Sequence, residues 1–95
     1  MHVISFKPLR EFSSTHRDAE SPLVAWHKTA KKATWENPAE LKMVYPSADF
    51  VDALTVFNIG GNKYRLIVKI NYKSQTIFVK AVMTHKEYDL GKWKE

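Results

Sequence analysis

Three strand-like runs separated by two short turns make up the segment LTVFNIGGNKYRLIVKINYKSQTIFVKAV (residues 54–82). The runs cover residues 54–59, 62–72 and 76–82, and all three are rich in β-branched and aromatic residues. A Gly-Gly pair joins the first two runs as a tight hairpin, and the tripeptide KSQ joins the last two. The segment therefore predicts a three-stranded antiparallel meander.

Alternation along the middle run assigns its side chains to two faces of the predicted sheet. The inner face is an apolar stripe suited to packing on helices: Tyr64, Leu66, Val68, Ile70 and Tyr72. The outer face carries Arg65 and Lys69 beside Ile67, and alternation in the last run adds Lys80 to it. Strict alternation places four residues of the last run on the opposite side from Lys80: Ile77, Val79, Ala81 and Met83. Cations among apolar neighbours indicate a partly covered, positively charged groove.

The first half of the chain predicts one strand and three helices. HVISF (2–6) is typical of an edge or opening strand. Ser21 and Asn37 are the predicted N-caps of the second and third helices, and SADF (47–50) is the predicted loop into the meander. The predicted helices begin within segments that share a proline in the first turn: KPLREF (7–12), SPLVAWHKTAKKATW (21–35) and NPAELKMVYP (37–46).

Length predicts a single domain over residues 1–95. The chain is 44% hydrophobic and 13% aromatic, which is too apolar for disorder. It has no cysteine, so disulfides and thiolate metal sites are excluded. It lacks a membrane-length apolar run and a signal-peptide core, so we expect a cytoplasmic protein without a membrane partner.

Positive charge is concentrated in the last third of the chain. Residues 1–59 hold seven Lys/Arg and seven Asp/Glu, whereas residues 60–95 hold eight and three, so the net charge of +5 lies entirely there. A basic excess confined to one segment indicates a polyanion or an acidic protein partner. Solvated lysines that serve only solubility explain the same excess equally well.

MTHKEYD (83–89) combines a helix start with groups suited to acid–base chemistry. Thr84 followed three residues later by Glu87 is a capping-box pattern, which predicts a short C-terminal helix with His85 at its first position. A helix N-terminus attracts phosphate, and Arg65 lies at the adjacent edge of the predicted sheet. The alternative is a purely structural role, in which the segment is a capped surface helix with a polar first turn. The functional interpretation expects four side chains to converge on one anionic ligand: Arg65, His85, Tyr88 and Asp89.

FNIGGNKYRLIVKI (57–70) followed by TIFVKAVMTHKEYD (76–89) closely resembles the HigB branch of the RelE/ParE-like toxins of bacterial toxin–antitoxin systems. WENPAELKMVYPSADFVD (35–52) also resembles the middle segment of that family. The resemblance implies a compact α+β RelE-like toxin fold, in which an N-terminal strand and two to three helices pack on an antiparallel sheet. The implied activity is that of an mRNA interferase that cuts messenger RNA, typically in the A site of the 30S ribosomal subunit. It also implies a HigA-like antitoxin with a helix-turn-helix domain, through which the pair contacts DNA to repress its own operon.

Arg65 occupies the position that resembles the phosphate-binding arginine of these toxins, and His85, Tyr88 and Asp89 fall where the family places its reactive groups. Arg65 is expected to stabilise phosphoryl charge, and His85 to act as acid or base. Tyr88 is expected either to transfer a proton or to stack on a base, and Asp89 to orient His85 or Lys86. Five further residues are candidates for RNA or phosphate contact: Asn62, Lys63, Lys69, Lys80 and Lys86.

The expected reaction needs neither a metal nor another cofactor. No pair of histidines or carboxylates has the spacing of a zinc or two-metal site, and the 2′-hydroxyl of RNA can serve as the nucleophile. Two other functions fit the same basic face. One is a non-catalytic module that binds RNA or an acidic antitoxin, and the other is a toxin of this fold with a different target such as gyrase.

Overall fold

The computed structural model of the protein describes residues 1–94 and places helices on the inner face of a five-stranded sheet. The elements in chain order are β1 (His2–Ile4), α1 (Lys7–Thr15), α2 (Glu20–Lys32), α3 (Pro38–Val44), β2 (Asp49–Val51), β3 (Leu54–Ile59), β4 (Tyr64–Asn71), β5 (Thr76–Thr84) and α4 (His85–Leu90). Short 3-10 turns at Arg17–Ala19 and Lys92–Lys94 precede α2 and follow α4. The predicted α+β architecture is thereby confirmed.

The sheet has the strand order β1-β5-β4-β3-β2. β3, β4 and β5 form the predicted antiparallel meander. β1 pairs with β5 in parallel, so the sheet is mixed rather than purely antiparallel. Residues 49–51 form the edge strand β2 on β3, where a loop was predicted. Asp52 adopts a φ of +55° in the tight β2–β3 turn. Asp tolerates this conformation, but an Asp in a sequence is only a weak indication of such a turn.

The β3–β4 turn (residues 60–63) depends on its glycines. Gly60 and Gly61 have φ values of +62° and +72°, in the left-handed region where a side chain is strained. Ile59 and Tyr64 are the last paired residues on either side of this turn. The turn therefore ends beside Arg65, the residue that follows Tyr64 on β4.

The helix caps agree with the predictions at α3 and differ at α2. Asn37 accepts the backbone N–H of Glu40 at 2.9 Å, so its predicted capping role is confirmed. Ser21 is not the cap of α2, because the helix already begins at Glu20. The 3-10 turn before it supplies the carbonyl of Arg17, which accepts the N–H of Glu20 and takes the place of a side-chain cap.

The core lies between the helices and the inner face of the sheet, as the apolar stripe of β4 predicted. Trp26 of α2 meets Phe57 of β3 edge to face, with ring centroids 5.5 Å apart. Apolar side chains from both layers complete this core, among them Leu9, Leu23, Ala30, Leu41, Leu66, Val68, Ile77 and Val79. In the part of the chain that the structure describes, no helix has the length and apolar character needed to cross a membrane.

A β-bulge changes the outer face. The β4–β5 register shifts between Ile67 and Val68, which leaves Lys80 without an opposite residue. The extra residue reverses the alternation beyond it, so Ala81 pairs with Ile67 and lies with Met83 on the outer face. The predicted inward orientation of Ala81 and Met83 is therefore wrong, because strict period-2 alternation does not survive a bulge.

Candidate active site

The start of α4 has the capping box that its sequence predicted. The Thr84 hydroxyl accepts the N–H of Glu87 at 3.2 Å, and the Glu87 carboxylate accepts the N–H of Thr84 at 3.0 Å. These bonds from the Thr84 backbone and side chain hold the pKa of Glu87 below its usual range. Gly91 ends the helix in a left-handed conformation with a φ of +75°. His85 consequently lies at the first helical position.

His85 is attached to two parts of the site. Its backbone N–H donates to the carbonyl of Lys63 at 2.9 Å, which joins the start of α4 to the β3–β4 turn. Its Nδ1 lies 2.8 Å from Oδ2 of Asp89, one helical turn later, and about half of each side chain is exposed. A carboxylate partner favours a proton on Nδ1, which leaves Nε2 available to a ligand.

Arg65 is nearly buried, with 8% of its surface exposed. Its Nη1 donates to the carbonyls of Asn62 and Tyr64 at 3.2 and 3.1 Å. The guanidinium carbon lies 5.6 Å from the ring centroid of Tyr88, a cation–π contact. Within residues 1–94, no carboxylate lies within ion-pair distance of this guanidinium. Because its described partners are neutral, the cation keeps its charge available for an anionic ligand.

Tyr88 lies between Arg65 and the end of the chain. Its ring stacks on Trp93, with centroids 5.0 Å apart and planes 13° apart, and the Trp93 indole donates to the Tyr88 carbonyl at 3.1 Å. Burial raises the pKa of Tyr88, the negative charges of Asp49 and Asp89 raise it further, and the charge of Arg65 opposes them. Tyr88 is therefore a neutral phenol near pH 7, with its proton on the hydroxyl.

The structure thus brings the four predicted catalytic residues into two contacting pairs. One pair is Arg65 with Tyr88, and the other is His85 with Asp89. Tyr88 and Asp89 are neighbours on α4, so both pairs lie where that helix crosses the end of β4. Convergence of all four side chains on a single phosphate stays a prediction.

Three candidates for RNA contact lie at the same end of the sheet. Asn62 is exposed in the β3–β4 turn, where its carbonyl also holds Arg65. Lys86 is exposed in the first turn of α4. Lys63 is exposed but already engaged, because its Nζ lies 3.1 Å from Oδ2 of Asp18. A phosphate contact by Lys63 would compete with that ion pair.

The other two candidates lie farther along the outer face. Lys69 is exposed and four residues from Arg65 on β4, a separation of about 13 Å in an extended strand. Lys80 is exposed at the bulge in β5. A contact of either lysine with RNA stays a prediction.

A cavity of about 590 Å³ separates the outer face of the sheet from α4. Its walls are mainly apolar, and its lining residues are Leu54, Ile67, Lys80, Ala81, Val82, Met83, Glu87, Leu90 and Trp93. The sequence analysis predicted a partly covered, positively charged groove on this face. The cavity found there is mainly apolar instead, because the bulge turns Ala81 and Met83 toward it. The spacing of Leu90 and Trp93, three residues apart, was the available signal that both lie on one side of the terminal segment.

Asp18 was missed for a different reason. Its carboxylate accepts the hydroxyl of Tyr64 and pairs with Lys63. The Tyr64 bond and then the Lys63 contact hold the pKa of Asp18 below its usual range, and the same carboxylate raises the pKa of Tyr64. Lys63 lies 45 residues from Asp18 in the chain, so no local pattern indicates the contact. Across residues 1–94, no group of three or more His, Asp or Glu side chains is placed to hold a metal ion.

Comparison with known proteins agrees with the resemblance. The family described as "HigB_toxin, RelE-like toxic component of a toxin-antitoxin system" matches residues 19–91. The chain is 38% identical to the "mRNA interferase toxin HigB" of Escherichia coli (strain K12), over 94% of this chain and 88% of that relative. It is 29% identical to the "mRNA interferase HigB" of Escherichia coli O6:H1, over 94% of this chain and 89% of that relative. The chain therefore belongs to the HigB family of RelE-like toxins, the toxic components of toxin–antitoxin systems.

Proposed function

We propose that this chain is an mRNA interferase, an endoribonuclease that uses the 2′-hydroxyl of its own substrate and needs no metal. Relatives at 38% and 29% identity carry that activity in their names. The environment of Arg65 is the observation on which the proposal most depends. This residue is a nearly buried cation with neutral partners in the described chain, beside a phenol and a carboxylate-paired imidazole.

The reaction forms one bond and breaks one at phosphorus. The 2′-oxygen attacks the adjacent phosphorus as its proton passes to a base, and the bond from phosphorus to the 5′-oxygen breaks as that oxygen receives a proton from an acid. The products are a 2′,3′-cyclic phosphate and a 5′-hydroxyl. Negative charge grows on the non-bridging oxygens, so a fixed cation at those oxygens lowers the barrier.

Each side chain then has a role that its geometry supports. Arg65 presents a planar fork that matches two phosphoryl oxygens. His85 accepts the 2′ proton at Nε2, and Asp89 stabilises the imidazolium that results. Tyr88 donates its proton to the leaving 5′-oxygen; its raised pKa keeps the phenol protonated for this step and also makes it a weaker acid. Its ring is already in contact with Trp93 and Arg65, which leaves little of it for stacking on a base.

We further propose that the substrate is messenger RNA in the A site of the 30S subunit and that the protein acts in the cytoplasm. Its silencing partner would be a HigA-like helix-turn-helix antitoxin, through which alone it would approach DNA. The +5 charge confined to residues 60–95 fits a polyanionic site. A ribosome that holds the RNA in line would supply orientation, worth about 7–11 kcal/mol at best, to a small catalytic set.

Induced expression of the wild type beside Arg65→Ala and His85→Ala, with 5′-end mapping of messenger RNA, tests the proposal. We expect growth arrest and discrete cuts with 5′-hydroxyl ends from the wild type, and loss of both from the variants although they remain folded by circular dichroism. Arg10→Ala is the matched control, because Arg10 lies 5.6 Å from the Phe6 ring in the same kind of contact but on α1. Growth arrest with intact messages would point to another target such as gyrase and overturn the nuclease assignment.

A further inference from the structure

Three consecutive backbone carbonyls hold the two main groups of the proposed site. The carbonyls of Asn62 and Tyr64 accept Nη1 of Arg65 at 3.2 and 3.1 Å. The carbonyl between them, that of Lys63, accepts the backbone N–H of His85 at 2.9 Å. A displacement of this backbone would therefore move the guanidinium and the start of α4 together.

Asp18, which lies in the helical layer, contacts two side chains of the same segment. It belongs to the 3-10 turn at Arg17–Ala19, and its two carboxylate oxygens engage different side chains. Oδ1 accepts the hydroxyl of Tyr64, and Oδ2 lies 3.1 Å from Nζ of Lys63. The Tyr64 ring is buried and meets Phe12 edge to face at 5.3 Å, so its hydroxyl is held in a fixed place. One carboxylate thus restrains two of the three residues whose carbonyls hold Arg65 and His85.

We infer that Asp18 is a positioning residue for RNA cleavage, a role that rests on the function proposed above. It touches neither substrate nor reacting atoms, and it acts through Lys63 and Tyr64 on Arg65 and His85. A carboxylate that accepts from a phenol and an ammonium makes strong bonds with defined directions. Catalysis depends steeply on such geometry, since a shift of about 1 Å can cost about 100-fold in rate.

The competing interpretation is that Asp18 only stabilises the fold. A stability role predicts a lower melting temperature and an unchanged rate per folded molecule. A positioning role predicts a lower kcat at temperatures where the variant is fully folded, with KM for RNA less affected. It also predicts that the Asp18–Tyr64 contact behaves as a unit. Removing the carboxylate, removing the hydroxyl or removing both should then have the same effect on the rate.

The test compares Asp18→Ala, Tyr64→Phe and the double variant in steady-state cleavage of a ribosome-bound message. Tyr64→Phe keeps the buried ring and removes only the hydroxyl. We expect each single variant to lower kcat by about 10- to 100-fold, and the double variant to be no slower than the slower single one. Glu11→Gln is the control, because it removes the exposed Glu11–Lys7 pair on α1, where the acceptor oxygen lies 3.8 Å from the ammonium.

A second measurement does not depend on activity. The amide proton of His85 is bonded to the Lys63 carbonyl, so its hydrogen exchange reports whether the turn and α4 stay joined. We expect about tenfold faster exchange at His85 in Asp18→Ala, and wild-type exchange in Glu11→Gln. Wild-type kcat in Asp18→Ala and Tyr64→Phe would overturn the inference. If the wild type itself leaves RNA uncut, the proposed function fails. The exchange measurement still decides the structural part: unchanged exchange at His85 in Asp18→Ala would show that Asp18 does not hold the turn and α4 together.

Discussion

Arg65 is a cation that is only 8% exposed, and its hydrogen-bond partners in the described chain are neutral carbonyls. Burying an uncompensated cation is costly, and a structural ion pair would normally supply a carboxylate. The carbonyls of Asn62 and Tyr64 orient one nitrogen of the guanidinium without neutralising it. An anionic ligand would add the missing charge, which is why a phosphate site explains this residue better than a structural role does.

Arg65→Lys separates the shape of the cation from its charge. Lysine keeps a positive charge but presents a point charge on a flexible stem instead of a planar fork. We expect kcat to fall by about tenfold or more, since one oriented donor to a transition state is worth about 100- to 1,000-fold and lysine retains part of that effect. Single-turnover cleavage at saturating toxin measures it. Wild-type rates in Arg65→Lys would show that charge alone suffices and that the fork has no role.

The His85–Asp89 pair should contribute orientation more than energy. Side-chain exposures of 46% and 59% place the pair largely in solvent, where ion pairs are worth about 0.2–1 kcal/mol. An interaction of that size changes a rate by at most about fivefold. In the proposed mechanism, Asp89 therefore selects the Nδ1-protonated form of His85, and the imidazole performs the proton transfer.

At the level of the helix, the capping box makes α4 sensitive to acid. The folded-state pKa of Glu87 is lowered from its ordinary 4.5, so its contribution to stability is present above that value. As the pH falls through the lowered folded-state pKa, the carboxylate protonates and this contribution is lost. We expect the protection of the Glu87 amide, which is bonded to the Thr84 hydroxyl, to decline across that acidic range by NMR hydrogen exchange.

Glu87→Gln is the matched variant for this prediction. Glutamine preserves the shape of the capping box and cannot titrate. Protection at α4 should therefore lose its dependence on pH below about 4.5 relative to the wild type. Glu11→Gln removes an acid from α1 that has no capping bond, and it should leave the acid response of α4 unchanged. An identical acid response in Glu87→Gln would assign that response to another group.

Local patterns account for the elements that the sequence analysis predicted correctly. The meander follows from β-branched runs separated by turn residues, and the starts of α3 and α4 follow from a cap with Glu three residues later. The bulge at Lys80 has no such pattern, because it depends on how β5 is paired with β4 and not on the residues of one strand alone. The apolar lining of the cavity beside α4, where a positively charged groove was predicted, is a consequence of that bulge.

In the molecule as a whole, contacts between distant parts of the chain determine how the site is held. Asp18 engages Lys63 and Tyr64 across the boundary between the helical layer and the sheet. Sequence reasoning selected Arg65 and His85 as candidates because residue type and motif indicate their chemistry. It did not find Asp18, because a carboxylate in a short turn has many solvated alternatives and its partner is specified only by the tertiary fold.

The charge distribution allows a last prediction about RNA binding. Lys69 and Lys80 are exposed on the outer face, farther along the sheet than Arg65. Replacing both with Gln in a His85→Ala background lowers the net charge by two and leaves the RNA uncut. We expect weaker binding to single-stranded RNA and a salt dependence of log affinity that is shallower by about 0.7 per lysine, measured by fluorescence anisotropy across a salt series.

Lys28 and Lys31 provide the matched control for that measurement. Both are exposed on α2, within the half of the chain whose charges cancel, and replacing both with Gln changes the net charge equally. If the outer face contacts RNA, only the first pair releases counterions on binding, and only its removal changes the slope. Equal slopes for the two double variants would mean that net charge alone attracts the RNA. The basic excess of residues 60–95 would then reflect solubility rather than a surface organised for a polyanion.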